Sequence, residues 1–162
     1  MVRSGRSLSR SPMRPLLLSL VLLVAGCAAV RPAPGAASAT PTLRWGSSFG
    51  MCIGYCASNL VVTPDRVATL TETATRSGEM APRIRTRTLT DAEAARLAAA
   101  YTASTIAATD TLGCPDCADG GAEYVEVDGR RVTFEYGGEA GPAGPLAEAL
   151  RAVRETFPRL DG

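Results

Sequence analysis

No histidine and no lysine occur in this chain of 162 residues, so all 17 of its basic side chains are arginine. Without an imidazole or a titratable amine, a Ser-His-Asp triad, a Cys-His pair and a Ser-Lys dyad cannot be assembled. Most hydrolase designs are thereby excluded, and carboxylate pairs remain as general acid and base. Net charge is scarce too: the 17 cations and 16 acids leave +1, a field too weak to gather nucleic acid. No Gly-rich stretch joins a strand to a helix as a phosphate loop requires, and Gly46-Ser47-Ser48-Phe49-Gly50 is not expected to act as a nucleophile elbow. Long apolar runs are also missing. The ten residues between Pro15 and Gly26 rise about 15 Å as a helix, half of a hydrocarbon core of about 30 Å.

That short run has its own meaning. Arg3, Arg6, Arg10 and Arg14 precede it without an intervening acid, and Pro, Ala, Gly, Ser and Thr dominate after it. A basic region, an apolar region and a site of small residues are the parts of an export signal. The run closes on Leu23-Val24-Ala25-Gly26-Cys27, which resembles the lipobox of bacterial lipoprotein signal peptides. The resemblance implies cleavage before Cys27, a diacylglyceryl group on its sulfur and a third acyl chain, such as palmitate, on its amine. Two or more chains anchor stably where one is marginal. The expected location is therefore the cell envelope, on the exported side of a membrane; in a Gram-negative envelope Ala28 is compatible with outer-membrane sorting. Met13-Arg14-Pro15 is a second candidate start, since it leads straight into the apolar run.

Residues 1–26 thus read as signal peptide and 27–42 as lipidated cysteine and tether, with Pro32, Pro34, Gly35 and Pro41 among small residues that have little to bury. Residues 43–162 have the size of one domain with one modest core. Residues 43–48 suit a first strand. Residues 58–62 and 67–73 are β-branched and bracket Thr63-Pro64-Asp65-Arg66, with Pro64 suited to a turn. In Arg83-Ile84-Arg85-Thr86-Arg87-Thr88 a period of two predicts a strand with its arginines on one face. Thr90 and Glu93 make a capping box for a helix over about 90–104, whose Ala94, Leu97, Ala98 and Tyr101 should dock on the sheet. Asp128-Gly129 predicts a tight hairpin that sets Val125 opposite Val132 and puts Val125, Val127, Val132, Phe134 and Tyr136 on the apolar face, with Glu126, Arg131 and Glu135 outward. Leu146, Leu150, Val153 and Phe157 mark a closing amphipathic helix over about 145–157, ended by Pro158. With strands and helices in this order and no long parallel crossover, the expected class is α+β: a mainly antiparallel sheet of short hairpins packed by two helices.

With Cys27 assigned to lipid, Cys52, Cys56, Cys114 and Cys117 remain, an even number in an exported chain. Structural disulfides are the plain expectation, and four cysteines permit three connectivities between which spacing does not choose. Two alternatives keep the thiols. Cys114-Pro115-Asp116-Cys117 has the C-x-x-C form of thiol oxidoreductases, although Gly120, Gly121 and a strand follow where a reactive pair commonly opens a helix. All four cysteines together make a candidate metal site, although the first pair is C-x3-C and no His shares the ligation. Asp110, Asp116, Asp119 and Glu123 crowd one region and read as turn-forming acids at strand ends, or as a loose Ca²⁺ site. Arg83, Arg85 and Arg87 are candidates to contact an anionic surface such as lipid or an acidic polymer; the plainer reading is a charged strand that avoids pairing with a neighbour.

Cys52-Ile53-Gly54-Tyr55-Cys56, followed by two strands around an Asp-containing turn, a helix, an Asp before another hairpin and a last helix, is similar to a family of exported bacterial domains with a Cys-x-Gly-x-Cys-Pro-x-Tyr motif. The likeness covers about 43–157, with Ala57 and Asn59 in place of that motif's Pro and Tyr. It implies an exported α+β domain without assigning catalytic residues. Because that family has the first cysteine pair without the second, the resemblance also implies the local pairs Cys52 with Cys56 and Cys114 with Cys117. The combined expectation is a lipid-anchored domain with a non-enzymatic binding or envelope-maintenance role, without a cofactor or a nucleic-acid partner, held to a membrane through Cys27.

Overall fold

A computed structural model describes residues 41–74 and 80–158. The export signal, Cys27 and the tether up to residue 40 lie outside the described residues. Seven strands and two helices follow one another: β1 (Leu43–Ser48), β2 (Tyr55–Val62), β3 (Val67–Ala74), β4 (Arg83–Thr88), α1 (Asp91–Ala103), β5 (Asp110–Thr111), β6 (Ala122–Val127), β7 (Arg130–Glu135) and α2 (Gly144–Glu155). The strands form one sheet in the order β4-β3-β2-β1-β6-β7-β5, antiparallel throughout except for the β5–β7 pair. The class is α+β, as the pattern of elements predicts.

Local chemistry accounts for most boundaries. Thr90 caps α1: its hydroxyl accepts from the Glu93 amide at 3.3 Å, and its own amide donates back to the Glu93 carboxylate at 2.8 Å, satisfying two amides that helix geometry orphans. The β6–β7 turn places Asp128 and Gly129 at φ 50° and 76°, the positive values a type I′ turn requires, and Val125 does pair with Val132. In the β2–β3 turn the left-handed position falls to Arg66, at φ 69°. A residue with a Cβ is costly there, and it is held by a hydrogen bond from the Leu89 amide to its carbonyl and by its guanidinium on Asp91 at 2.7 Å.

β1 lies at the sheet's centre, and its inward side chains Leu43 and Trp45 meet Leu60 and Val62 of β2 and Val125 and Val127 of β6. Helix α2 lies over β1 and β6 and buries Leu146, Leu150 and Val153, with Phe157 just beyond its end. Helix α1 packs mainly against α2, not on the sheet, which corrects the expected docking. Leu97 is buried and Tyr101 and Ala100 pack against the core, but Ala98 faces solvent. The physical reason is occupancy: the strongly amphipathic α2 takes the sheet's middle, so the Ala-rich α1 is left with the flank.

Two further differences concern β7. Alternation along the hairpin puts Tyr136 on the apolar face, but the strand ends at Glu135 and Gly137, at φ 68°, turns the chain away. The Tyr136 ring is half exposed and rests on Phe49, ring centres 4.1 Å apart. β5, a two-residue parallel edge beside β7, is too short for any periodicity to announce.

Candidate functional site

The cysteines form two local disulfides, Cys52–Cys56 and Cys114–Cys117, with Cα separations of 5.6 and 5.5 Å. Both sit at one end of the sheet. β1 ends at Ser48 opposite Ala122, the first residue of β6, so the loop after β1 and the loop before β6 are neighbours: a side chain at Gly121 would press on the Ser48 carbonyl at 2.6 Å. Cys56 has the inward parity of Leu60 and Val62 in β2 and is buried; Cys114 and Cys117 face solvent.

Around Cys114–Cys117 the backbone is unusual. Asp116, Ala118 and Asp119 all have positive φ, and residues Cys117–Asp119 make a single 3-10 turn that leads into a strand. The Cys114 amide donates to the Glu135 carboxylate at 3.1 Å. A thiolate here has carboxylates as neighbours and no α-helix N-terminus beneath it, an environment that disfavours the reactive form. Among the described residues no group of three or more His, Cys, Asp or Glu is placed to hold a metal ion.

Glu123 is the residue whose role the sequence misleads on most. Its neighbours in sequence suggest a turn acid, yet it points into the core and is 3% exposed. Its carboxylate accepts from the Trp45 indole at 3.0 Å, from Arg151 Nε at 2.7 Å and from the Gly137 amide at 3.0 Å. Arg151 also donates to the Gly138 carbonyl at 3.1 Å and lies over the Phe134 ring. The four groups join β1, β6, the loop after β7 and helix α2. A buried carboxylate is tolerated only when paired and hydrogen-bonded in this way, and every atom of it is committed to the fold.

Arg83, Arg85 and Arg87 share one face of β4, and it is the face that carries the helices. Arg85 donates to the Glu72 carboxylate and the Pro158 carbonyl. Arg87 binds both oxygens of Glu93 at 2.7 and 2.9 Å and reaches the Thr156 hydroxyl. Their guanidiniums flank the Phe157 ring at 5.9 and 5.1 Å. The Arg87 guanidinium holds the Glu93 carboxyl at about 2, well below its ordinary 4.5; burial opposes this and the Thr90 amide adds to it. Arg83 lies over the Tyr55 ring at 4.0 Å. The row ties the sheet edge to the start of α1 and the end of α2, with Ile84, Thr86 and Thr88 facing outward.

The opposite face of the sheet carries no helix among the described residues. Its rows run Ile84, Thr71, Asn59, Gly46, Tyr124, Thr133 and Thr86, Thr69, Val61, Arg44, Glu126, Arg131 across the strands. Tyr124 lies across Gly46, the Asn59 amide donates to its hydroxyl, and the Arg131 guanidinium stacks on its ring at 4.0 Å. Burial raises the Tyr124 phenol above its ordinary 10.0, so it stays a neutral hydrogen-bonding group. Arg131 and Arg44 share the Glu126 carboxylate at 2.6 and 3.5 Å. Beside this cluster a hollow of about 290 Å³ is lined by Ser48, Ala57, Asn59, Thr71, Thr73 and Tyr124 among others. Strand periodicity points to this face, but only the pairing of β1 with β6 brings Asn59 and Tyr124, 65 residues apart, together.

The segment Gly46-Ser47-Ser48-Phe49-Gly50 has the G-x-S-x-G spacing. The strand-to-helix turn that such an elbow needs is not formed, because β1 runs to Ser48 and a disulfide loop follows. No helix of the described residues is long and apolar enough to cross a membrane. Comparison with protein-family models and with curated proteins finds no match for this chain.

Proposed function

We propose that this chain is an exported, lipid-anchored domain that binds a hydroxyl-rich polymer of the cell envelope through the bare face of its sheet and performs no covalent chemistry itself. The observation that carries the reading is that face: an ordered array of Ser, Thr, Asn and Tyr polar groups, uncovered by either helix, around a shallow hollow. Hydroxyls and amides that both donate and accept match a polysaccharide's hydroxyls. Anchoring through Cys27 is supported by the resemblance of residues 16–27 to a lipobox, and the exported setting by the Cys-x-Gly-x-Cys resemblance.

Two experiments test it. Purified envelope polysaccharide should sediment the protein, and Thr71→Arg, which fills the hollow from an outward position, should weaken that binding at least about tenfold, about 1.4 kcal/mol, with the fold intact by circular dichroism. Equal sedimentation of both proteins, or of neither, overturns the binding face. Separately, Cys27→Ala should abolish acylation and leave an uncleaved precursor; unchanged lipid labelling overturns the anchor.

A further inference from the structure

We propose that the loop closed by Cys52–Cys56 is a membrane-inserting tip: Met51, Ile53 and Met80 enter the interfacial region of a lipid bilayer, with Tyr55 and Arg83 as the collar at headgroup level. Scattered exposed hydrophobic residues are ordinary on a protein surface; clustered ones are not. Among the described residues five large hydrophobic side chains are exposed, and three of them, Met51 at 80%, Ile53 at 104% and Met80 at 38%, belong to this one place. Met80 approaches Gly54, whose added Cβ would lie 4.0 Å from the Met80 methyl.

The loop is also built so that its apolar side chains cannot fold back. Cys52 and Cys56 are bonded on either side of Ile53, Gly54 turns the chain with φ 97°, and the Phe49 amide donates to the Cys56 carbonyl at 3.0 Å. A flexible loop would collapse onto the body and hide Ile53; this one holds it out. Behind the tip, the Tyr55 hydroxyl donates to the Ala81 carbonyl at 2.9 Å and the Arg83 guanidinium lies 4.0 Å over the Tyr55 ring. An amphipathic ring and a cation on a long stem behind an apolar tip suit the polar border of a bilayer. A protein partner would need a matching pocket for a convex tip, whereas lipid makes no such demand. Asp119 lies near Gly50, so among the described residues the border of the tip carries charge of both signs, as the surface of a zwitterionic bilayer does. The inference goes beyond anchoring through Cys27 and does not depend on it.

The test uses the full chain carrying Ile53→Trp, with phosphatidylcholine vesicles whose acyl chains are brominated near the headgroup. Trp45, the one natural tryptophan, is buried, so the wild-type chain supplies the background. Tip insertion gives a residue-53 emission that shifts to the blue and is quenched by the brominated lipid, while Trp45 is not quenched. Met51→Trp, read the same way, should agree, and circular dichroism checks that both variants fold. If aqueous acrylamide quenches the new tryptophan equally with and without vesicles, the tip is overturned; should that chain still float with the vesicles, anchoring through Cys27 stands. A blue shift that grows with protein concentration in the absence of vesicles assigns the tip to a second copy, and overturns the proposal as well.

Discussion

Gly46 and Tyr124 face each other across β1 and β6, and the tyrosine ring occupies the place where a side chain at 46 would stand: a Cβ there would lie 2.3 Å from Cε1. The missing side chain of one strand is the seat for the ring of the next. Glycine costs a strand entropy and packing, and an aromatic partner directly across offsets part of that loss. Asn59 and Arg131 then hold the ring in place.

Gly46→Ala should therefore destabilise the domain by about 1–3 kcal/mol, the range for overpacking, and should do so much less in a Tyr124→Ala background. Urea denaturation of the four proteins of this cycle checks the coupling. Equal costs in both backgrounds would show that the ring does not set the constraint. Phenolate absorbance gives a second readout: the component lost in Tyr124→Phe should titrate above the ordinary 10.0.

Glu123 and Arg151 pair a buried carboxylate, at 4% side-chain exposure, with a partly buried guanidinium, at 26%. Glu123→Ala should cost about 3–5 kcal/mol, because Arg151 and the Trp45 indole lose their common acceptor in a dry place. Replacing both, as Glu123→Leu with Arg151→Met, should cost clearly less than the sum of the single changes. Additive effects in thermal unfolding would mean that the two groups do not act as a pair.

The two disulfides should leave no free thiol at positions 52, 56, 114 and 117 in protein isolated without reductant, as counted by alkylation and mass shift. Cys114→Ser with Cys117→Ser should lower stability by about 1–3 kcal/mol, modest because the closed loop is short. Recovery of that pair as thiols at a potential milder than about −200 mV would instead favour thiol exchange.

Glu93 supplies the pH dependence. Its folded carboxyl is held at about 2 against an ordinary 4.5, so it binds a proton less readily folded than unfolded. The stabilisation is complete above about pH 4.5 and is lost as pH falls towards 2. Since the pair is partly solvated, the amount is about 1 kcal/mol. Wild type should exceed Glu93→Gln by that margin near neutrality and converge with it by pH 2; a constant gap in urea midpoints across that window would remove Glu93 from the acid transition.

The sequence alone determined the class and most elements of this domain, because those signals are local. The period-two run at 83–88, the Asp128-Gly129 turn, the Thr90/Glu93 box and the Leu146-to-Phe157 stripe each have a physical cause within a few residues. What they leave open depends on which strands become neighbours. Only pairing of β1 with both β2 and β6 makes Gly46 a seat for Tyr124 and brings Asn59 to its hydroxyl. Only the landing of α2 over β1 and β6 sends α1 to the flank, turns Glu123 from a turn acid into a buried acceptor, and commits Arg85 and Arg87 to the ends of the helices. An alternating pattern places a charge on one face of a strand, but it carries no record of what will cover that face; tertiary packing decides whether an arginine meets solvent or a carboxylate.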